Sequence, residues 1–323
     1  MDSKTRVLMA LNHEKPDKVP FNFWMDRREM AKYEQEIGHR HWRVTHYGAD
    51  VIESFHCLSF PSGPTIERDG TAWITEPYLK SWSNIATISL PDPNDDRVYE
   101  LLKADLDEFP NKAVLLNITM PWGVIASWRT YENVYTDMCE YPEEFKKLSK
   151  NLEDVMKVVV ERACQMGVTA VYIQEDLASS QGLTMSPAMI REFCFGYTKS
   201  FIDIAHSYGK PVLFHCDGNV IDFIDILLEY DIQAINPLQA NLVDPREFKK
   251  RHNNDIAVYG AIDNCFIIPN ETLEKIREHV FDVFDVLGKP DGALIMSTHD
   301  IPFETPRENI EAMIQAIKEC VYD

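Results

Sequence analysis

Residues 209–220 read GKPVLFHCDGNV. Gly209 and Pro211 punctuate the start, Val212, Leu213 and Phe214 follow without polar alternation, and the run stops in His215, Cys216, Asp217, Gly218 and Asn219. A strand that is apolar on both faces belongs in a parallel sheet covered by helices, and polar groups crowded at its C-terminal end face the mouth of such a sheet. The same pattern recurs at 113–119, 169–175, 232–236, 256–262 and 293–298. Between these runs, 143–166 and 186–208 carry apolar residues at three- and four-residue spacing, which predicts helices. Ser186-Pro187 reads as an N-cap followed by the first helical residue, and Thr305-Pro306 opens a last helix in the same way.

Two upstream runs, 19–25 and 50–56, flank a helix-like stretch at 28–37 and bring the strands to eight. Eight is the number that closes a (β/α)8 TIM barrel, the expected α/β fold, with an open doubly wound sheet as the alternative. Residues 62–89 break the alternation. There Arg68-Asp69-Gly70 followed by Trp73-Ile74-Thr75 predicts a β-hairpin inserted after the second strand, closed by the loop Pro91-Asp92-Pro93. Neither a repeat nor a linker divides the 323 residues, so one decorated barrel domain over 1–323 is expected.

Lys and Arg number 32 against 52 for Asp and Glu, a formal net charge of −20. That field repels polyphosphates and anionic membranes, so no nucleic-acid or membrane partner is expected. The seven cysteines are odd in number and form no CxxC pair, which points to a reducing cytoplasm and away from a disulfide framework or a zinc ribbon. Residues 1–18 are charged and lack the apolar core of a signal peptide, and no apolar run approaches membrane-spanning length. A cytoplasmic protein is expected.

Polar groups gather at the strand ends. His215 and Asp217 are two apart and project to one side of an extended strand end, with Cys216 opposite, and His299 reaches the same face if the barrel closes. Two imidazoles and a carboxylate on rigid strand ends make a three-ligand set with an open position, as catalytic zinc uses, and Gln239 or Glu175 would complete or buttress it. The metal-free alternative makes His215 and His299 acid/base or substrate contacts. Of the neighbours Glu175 and Asp176, one is expected to face the mouth, and Glu175 is the candidate proton donor beside Asp217 and His299, or else a helix cap. Asp26, Trp24, Phe23 and Asn236 are candidate substrate contacts. Asp26 alternatively pairs with Arg27 or Arg28, and Phe21, Phe23, Trp24, Trp122 and Trp128 either floor a pocket for a flat substrate or fill the core.

The segments TRVLMALNHEKPDKVPFNFW (5–24), EDLASSQGLTMSP (175–187), GKPVLFHCDGNV (209–220), INPLQ (235–239), VYGAID (258–263) and STHDIPFETPRENIEAM (297–313) together resemble the uroporphyrinogen decarboxylase superfamily, in order and over essentially the whole chain. The resemblance implies a (β/α)8 barrel, often dimeric, with its active site at the strand C-termini. The superfamily holds the haem-pathway decarboxylase and zinc-dependent methyltransferases that work with corrinoid proteins.

The decarboxylase branch carries an MRQAGR-type segment after the first strand that binds porphyrinogen carboxylates. Here Met25-Asp26-Arg27-Arg28-Glu29-Met30 does not reproduce it. The methyltransferase branch places a His-x-Cys at the fifth strand end and a further Cys before the last helix. The matching positions are His215, Asp217 and His299, with Gln239 where that branch can place a glutamate. A His/Asp/His set is harder than a thiolate set and leaves zinc more electrophilic, suited to polarising an ether or hydroxyl oxygen. The resemblance thus implies a methyltransferase moving a methyl group from a small methyl donor, such as a methoxyarene, to Co(I) of a cobalamin carried by a partner corrinoid protein. The alternatives are a metal-free decarboxylase and a non-catalytic small-molecule-binding barrel.

Overall fold

A computed structural model describes residues 1–68, 70–252 and 255–323. The strands in chain order are β1 (Trp24–Met25), β2 (Val51–Phe55), β3 (Thr65–Arg68), β4 (Thr71–Ile74), β5 (Ala113–Thr119), β6 (Ala170–Gln174), β7 (Ala178–Ser179), β8 (Gly182–Leu183), β9 (Val212–His215), β10 (Ala234–Asn236), β11 (Ala257–Ile262), β12 (Leu294–Thr298) and β13 (Asp300–Ile301). Seven of them form one curled sheet in the order β12-β11-β10-β9-β6-β5-β2, and every pairing in it is parallel.

The segment leading into β1 closes the sheet. Met296 N donates to Pro20 O at 2.9 Å and Asn22 N to Met296 O at 3.0 Å on one side, while Asp50 N donates to Phe21 O at 2.8 Å on the other. Beyond these bonds β1 pairs with β13. This segment is the eighth stave, and the fold is a (β/α)8 barrel.

Alternation along the strands splits the core in two. The larger cluster lies between the staves and the outer helices, with Val114, Leu116, Ile118, Ile173 and Phe214 facing Leu152, Met156 and Phe201. The smaller cluster lies inside the barrel: Ala113, Leu115, Ala170, Tyr172, Leu213, Ala234, Ala257, Tyr259 and Ile295 meet Val7, Ala10 and Leu11 of helix Ser3–Leu11. That helix stoppers the end of the barrel where the strands begin. Its buried Arg6 donates to Asp50 Oδ1 at 2.7 Å and to Asp17 at 2.7 Å, so the charge is paired on both sides.

One sequence expectation is corrected and a second is narrowed in extent. The periodic stretch 186–208 is not one helix: it passes through a wide turn at Ile190–Cys194 and a tight one at Phe195–Tyr197 before Lys199–Ser207. Within 62–89, β3 and β4 pair antiparallel with Ile66 opposite Trp73, and the rest runs into a short helical turn at Trp82–Thr87. Asp69 of the expected turn lies outside the described residues. Among the described residues no helix is long and apolar enough to cross a membrane.

Candidate metal centre

The parallel register brings Gln174, His215 and Asn236 to one level on β6, β9 and β10. Asn236 is locked first: its Nδ2 donates to Tyr259 O at 2.7 Å, and its Oδ1 accepts the Tyr172 hydroxyl at 2.6 Å. That oxygen lies 2.8 Å from His215 Nδ1. As an acceptor it requires Nδ1 to carry the proton, which turns the His215 Nε2 lone pair toward the barrel mouth.

Asp217 follows on a pinned loop. Asp217 N donates to Asp176 Oδ1 at 3.0 Å, Gly218 N to Gln239 Oε1 at 2.6 Å and Asn219 N to Ser179 O at 2.8 Å. Gly218 has φ +100°, and a Cβ there would lie 2.6 Å from Ser179 O, so the loop needs glycine to seat against β7. His299 extends from the end of β12. Its Nε2 stands 3.2 Å from Asp217 Oδ2, and His215 Nε2 lies 3.9 Å from the same oxygen.

His215, Asp217 and His299 thus offer three ligand atoms within 4.8 Å of one another. The second Asp217 oxygen, Oδ1, is buried with no hydrogen-bond partner among the described residues. Burial works to lower the His299 pKa, but the Asp217 carboxylate and the nearby Asp300 and Asp176 more than offset it and raise it. Burial likewise works to raise the Asp217 pKa, and the two imidazoles more than offset that and lower it. A carboxylate with one oxygen near two imidazole nitrogens and the other orphaned fits a cation, and a two-nitrogen, one-oxygen set with a free side fits zinc.

Two of the three, His215 and His299, line a cavity of about 410 Å³ together with Trp24, Arg27, Glu53, Phe55, Tyr172 and Asp300, among others. Of the expected substrate contacts, Trp24 and Asn236 line it. Phe23 does not: it is fully buried against Trp42 and Tyr47, outside the barrel. Asp26 does not either, because it caps helix Arg27–Ile37 and pairs with Arg28 at 2.9 Å, which holds its carboxyl below the usual range. Trp122 and Trp128 are fully buried core.

Glu175 is also displaced from its expected place. Tyr172 and Gln174 point into the barrel, so strand alternation sends Glu175 outward, where Oε2 accepts from the Thr119 hydroxyl at 3.2 Å. A Cβ on Gly123 would lie 1.8 Å from the same Oε2, so the glycine in helix Pro121–Arg129 makes the space. Burial, then the Asp176 charge, pushes the Glu175 carboxyl up to about 8. Asp176 is the neighbour that faces the mouth, with Oδ1 3.8 Å from His215 Nε2. Gln239 braces the Asp217 loop through Gly218, and its amide oxygen is engaged there.

Sequence reading missed Glu53 and Tyr259. Both sit within apolar strands instead of at strand ends, and an acidic residue among Val51, Ile52 and Phe55 was the available signal.

A family model described as Uroporphyrinogen decarboxylase (URO-D) matches residues 62–320. A curated relative named uroporphyrinogen decarboxylase from Anaeromyxobacter sp. (strain Fw109-5) is 21% identical over 269 residues, covering 80% of this chain and 74% of the relative. One of the same name from Rickettsia bellii (strain RML369-C) is 24% identical over 262 residues, covering 76% and 73%. A solved methyltransferase from Methanosarcina mazei superposes with a TM-score of 0.74 at 16% identity, covering 99% of both chains. At that identity the likeness is one of fold.

Proposed function

Because the chain belongs to the uroporphyrinogen decarboxylase family, we propose that its barrel mouth is the active site of a zinc-dependent methyltransferase. It takes the methyl group of a small methyl ether, a methoxyarene in the first instance, and delivers it to the cobalt of a partner corrinoid protein. The observation that carries this reading is the meeting of His215, Asp217 and His299 within 4.8 Å, with Asp217 Oδ1 buried and unpartnered among the described residues. Zinc held by these three residues supplies Lewis-acid polarisation of the ether oxygen.

The chain's own residues prepare the site. Asn236 and Tyr172 hold the His215 ring in the tautomer that presents Nε2. Asp176, Gln239 and Ser179 fix the loop that carries Asp217. Trp24, Phe55 and Tyr172 wall the cavity and orient a ring, so that donor and acceptor meet in a fixed geometry. The methyl–oxygen bond breaks with its electron pair on oxygen, the methyl group passes to Co(I), and the oxygen takes one proton from solvent at the open mouth. At about 410 Å³ the cavity lies within the range of small-molecule sites, roughly 300–1,000 Å³.

A polycarboxylate substrate suits this lining poorly. Arg27 faces the cavity beside Glu34, Glu53 and Asp300, while Arg28 pairs with Asp26 and Arg43 donates to Phe23 O. Metal analysis of protein purified without chelator, together with methyl transfer from guaiacol to a reduced corrinoid protein, tests the reading. About one zinc per chain, lost with activity in His215→Ala, is expected. Absence of zinc with His215→Ala unaltered sinks it, and turnover of a porphyrinogen would establish the decarboxylase instead.

A further inference from the structure

The cavity has a second chemical feature, away from the three ligands. Glu53 projects from β2 into the barrel, is 7% exposed and lines the cavity. One of its oxygens is saturated: Oε1 accepts from the Tyr259 hydroxyl at 2.6 Å, from Trp24 Nε1 at 3.0 Å and from Asn22 Nδ2 at 3.3 Å. Asn22 Nδ2 also donates to the Tyr259 hydroxyl at 2.8 Å, which fixes the direction of that bond. The other oxygen, Oε2, has no hydrogen-bond partner among the described residues.

Three donors converging on one oxygen are a large investment of buried polar groups in holding one carboxylate still. Its second oxygen takes none of these bonds and opens onto the cavity, where a ligand that displaces water must supply a donor in its place. Arg43 is buried beneath, its guanidinium stacked 3.8 Å over the Trp24 ring and its hydrogen bond given to Phe23 O at 2.7 Å. It offsets the Glu53 charge at a distance without occupying Oε2. Tyr259, bonded to Glu53, and Tyr172, beside His215, lie 6.1 Å apart ring to ring, and the cavity lining holds both the carboxylate acceptor and the two imidazoles.

We propose that Glu53 is a specificity-determining residue that anchors a hydrogen-bond-donating group, a hydroxyl or an ammonium, on the small molecule bound in this cavity. The inference rests on the cavity being the substrate site, and it narrows the methyl donor to one bearing such a group besides its methyl ether. A site built to receive a hydrogen bond discriminates by leaving its own buried acceptor unpaired when the ligand lacks the donor.

Calorimetric titration of the zinc-loaded protein with three probes tests it: guaiacol, which carries a hydroxyl, 2-methoxybenzylamine, which carries an ammonium, and veratrole, in which the hydroxyl is capped. Guaiacol or the amine is expected to bind about tenfold or more tightly than veratrole, and which of the two leads identifies the group. Glu53→Gln keeps one oxygen for the three donors and turns the free position into an N–H, so the preference should vanish or reverse while zinc content and Tm hold. Glu53→Asp should restore part of it. Equal binding of all three probes, binding of none, or a preference that survives Glu53→Gln overturns the proposal. His215→Ala separates the two readings: loss of zinc with the probe preference retained leaves Glu53 its role, whereas zinc binding without any preference removes that role alone.

Discussion

Asn236 sets the tautomer of His215: its side-chain oxygen, which already accepts the Tyr172 hydroxyl, lies 2.8 Å from the imidazole Nδ1. Removing it in Asn236→Ala frees the ring to carry its proton on either nitrogen. Zinc affinity, read by competition with a fluorescent chelator, should fall about 10- to 100-fold with stoichiometry unchanged. An affinity within about twofold of the parent would mean that ring orientation comes from elsewhere.

Gln239 gives a contrasting case, because its oxygen engages Gly218 N at 2.6 Å. Gln239→Ala should loosen the Asp217 loop and weaken zinc by about tenfold, yet leave about one zinc per chain by elemental analysis. Gln239→Glu, which keeps the acceptor, should stay near the parent. Loss of all zinc in Gln239→Ala would make Gln239 a ligand.

Gly123→Ala reverses a common rule. In a helix interior the change is ordinarily favourable by about 1 kcal/mol. Here the new Cβ would lie 1.8 Å from Glu175 Oε2 and 2.7 Å from Thr119 Oγ1. A net destabilisation of about 1–3 kcal/mol is expected in denaturant titrations. The double variant Gly123→Ala/Glu175→Ala should recover much of it, and strict additivity of the two changes would refute the contact.

Glu175 predicts a pH dependence of stability. Its folded pKa is raised, by burial first and by Asp176 second, to about 8 from 4.5. The folded state therefore keeps a proton that the unfolded chain releases. This contribution is complete below about 4.5 and is lost as pH rises toward 8, at up to about 1.4 kcal/mol per pH unit. Glu175→Gln mimics the protonated form, so its Tm relative to the parent should rise between pH 5 and pH 8. A constant difference across that window would show that Glu175 is ionised in the fold.

The strands were legible where burial on both faces leaves an unbroken apolar run, as at Ala113–Thr119, whose observed bounds are those read from the residues. Helix Ser3–Leu11 was not legible, because its sequence looks charged and nothing local reveals that Arg6 is buried against Asp17 and Asp50. The turn at Ile190–Cys194 was hidden because apolar spacing survives a single widened turn. At the site, strand-end position identified the residues that meet, His215, Asp217 and His299. Phase decided the error at Glu175: continuing the inward alternation of Tyr172 and Gln174 puts Glu175 outside, and only then does Asp176 reach the mouth. Glu53 lay inside an apolar strand, where a search of strand ends does not look.

Helix Ser3–Leu11 makes the interior a cul-de-sac, since Val7, Ala10 and Leu11 seal the far end against Ala113, Ala170 and Ala234. A molecule that reaches Glu53 shares one open end with His299 for entry and exit, because the other end is closed. For a reaction between a small donor and a protein-borne acceptor, that imposes an order of arrival. In the methyl transfer proposed above, the donor would enter first, the bulky acceptor would then cover the doorway, and the demethylated remnant would stay enclosed until the acceptor departs. Turnover on such a plan would proceed through a complex of all three parties, with release in the reverse of the order of entry.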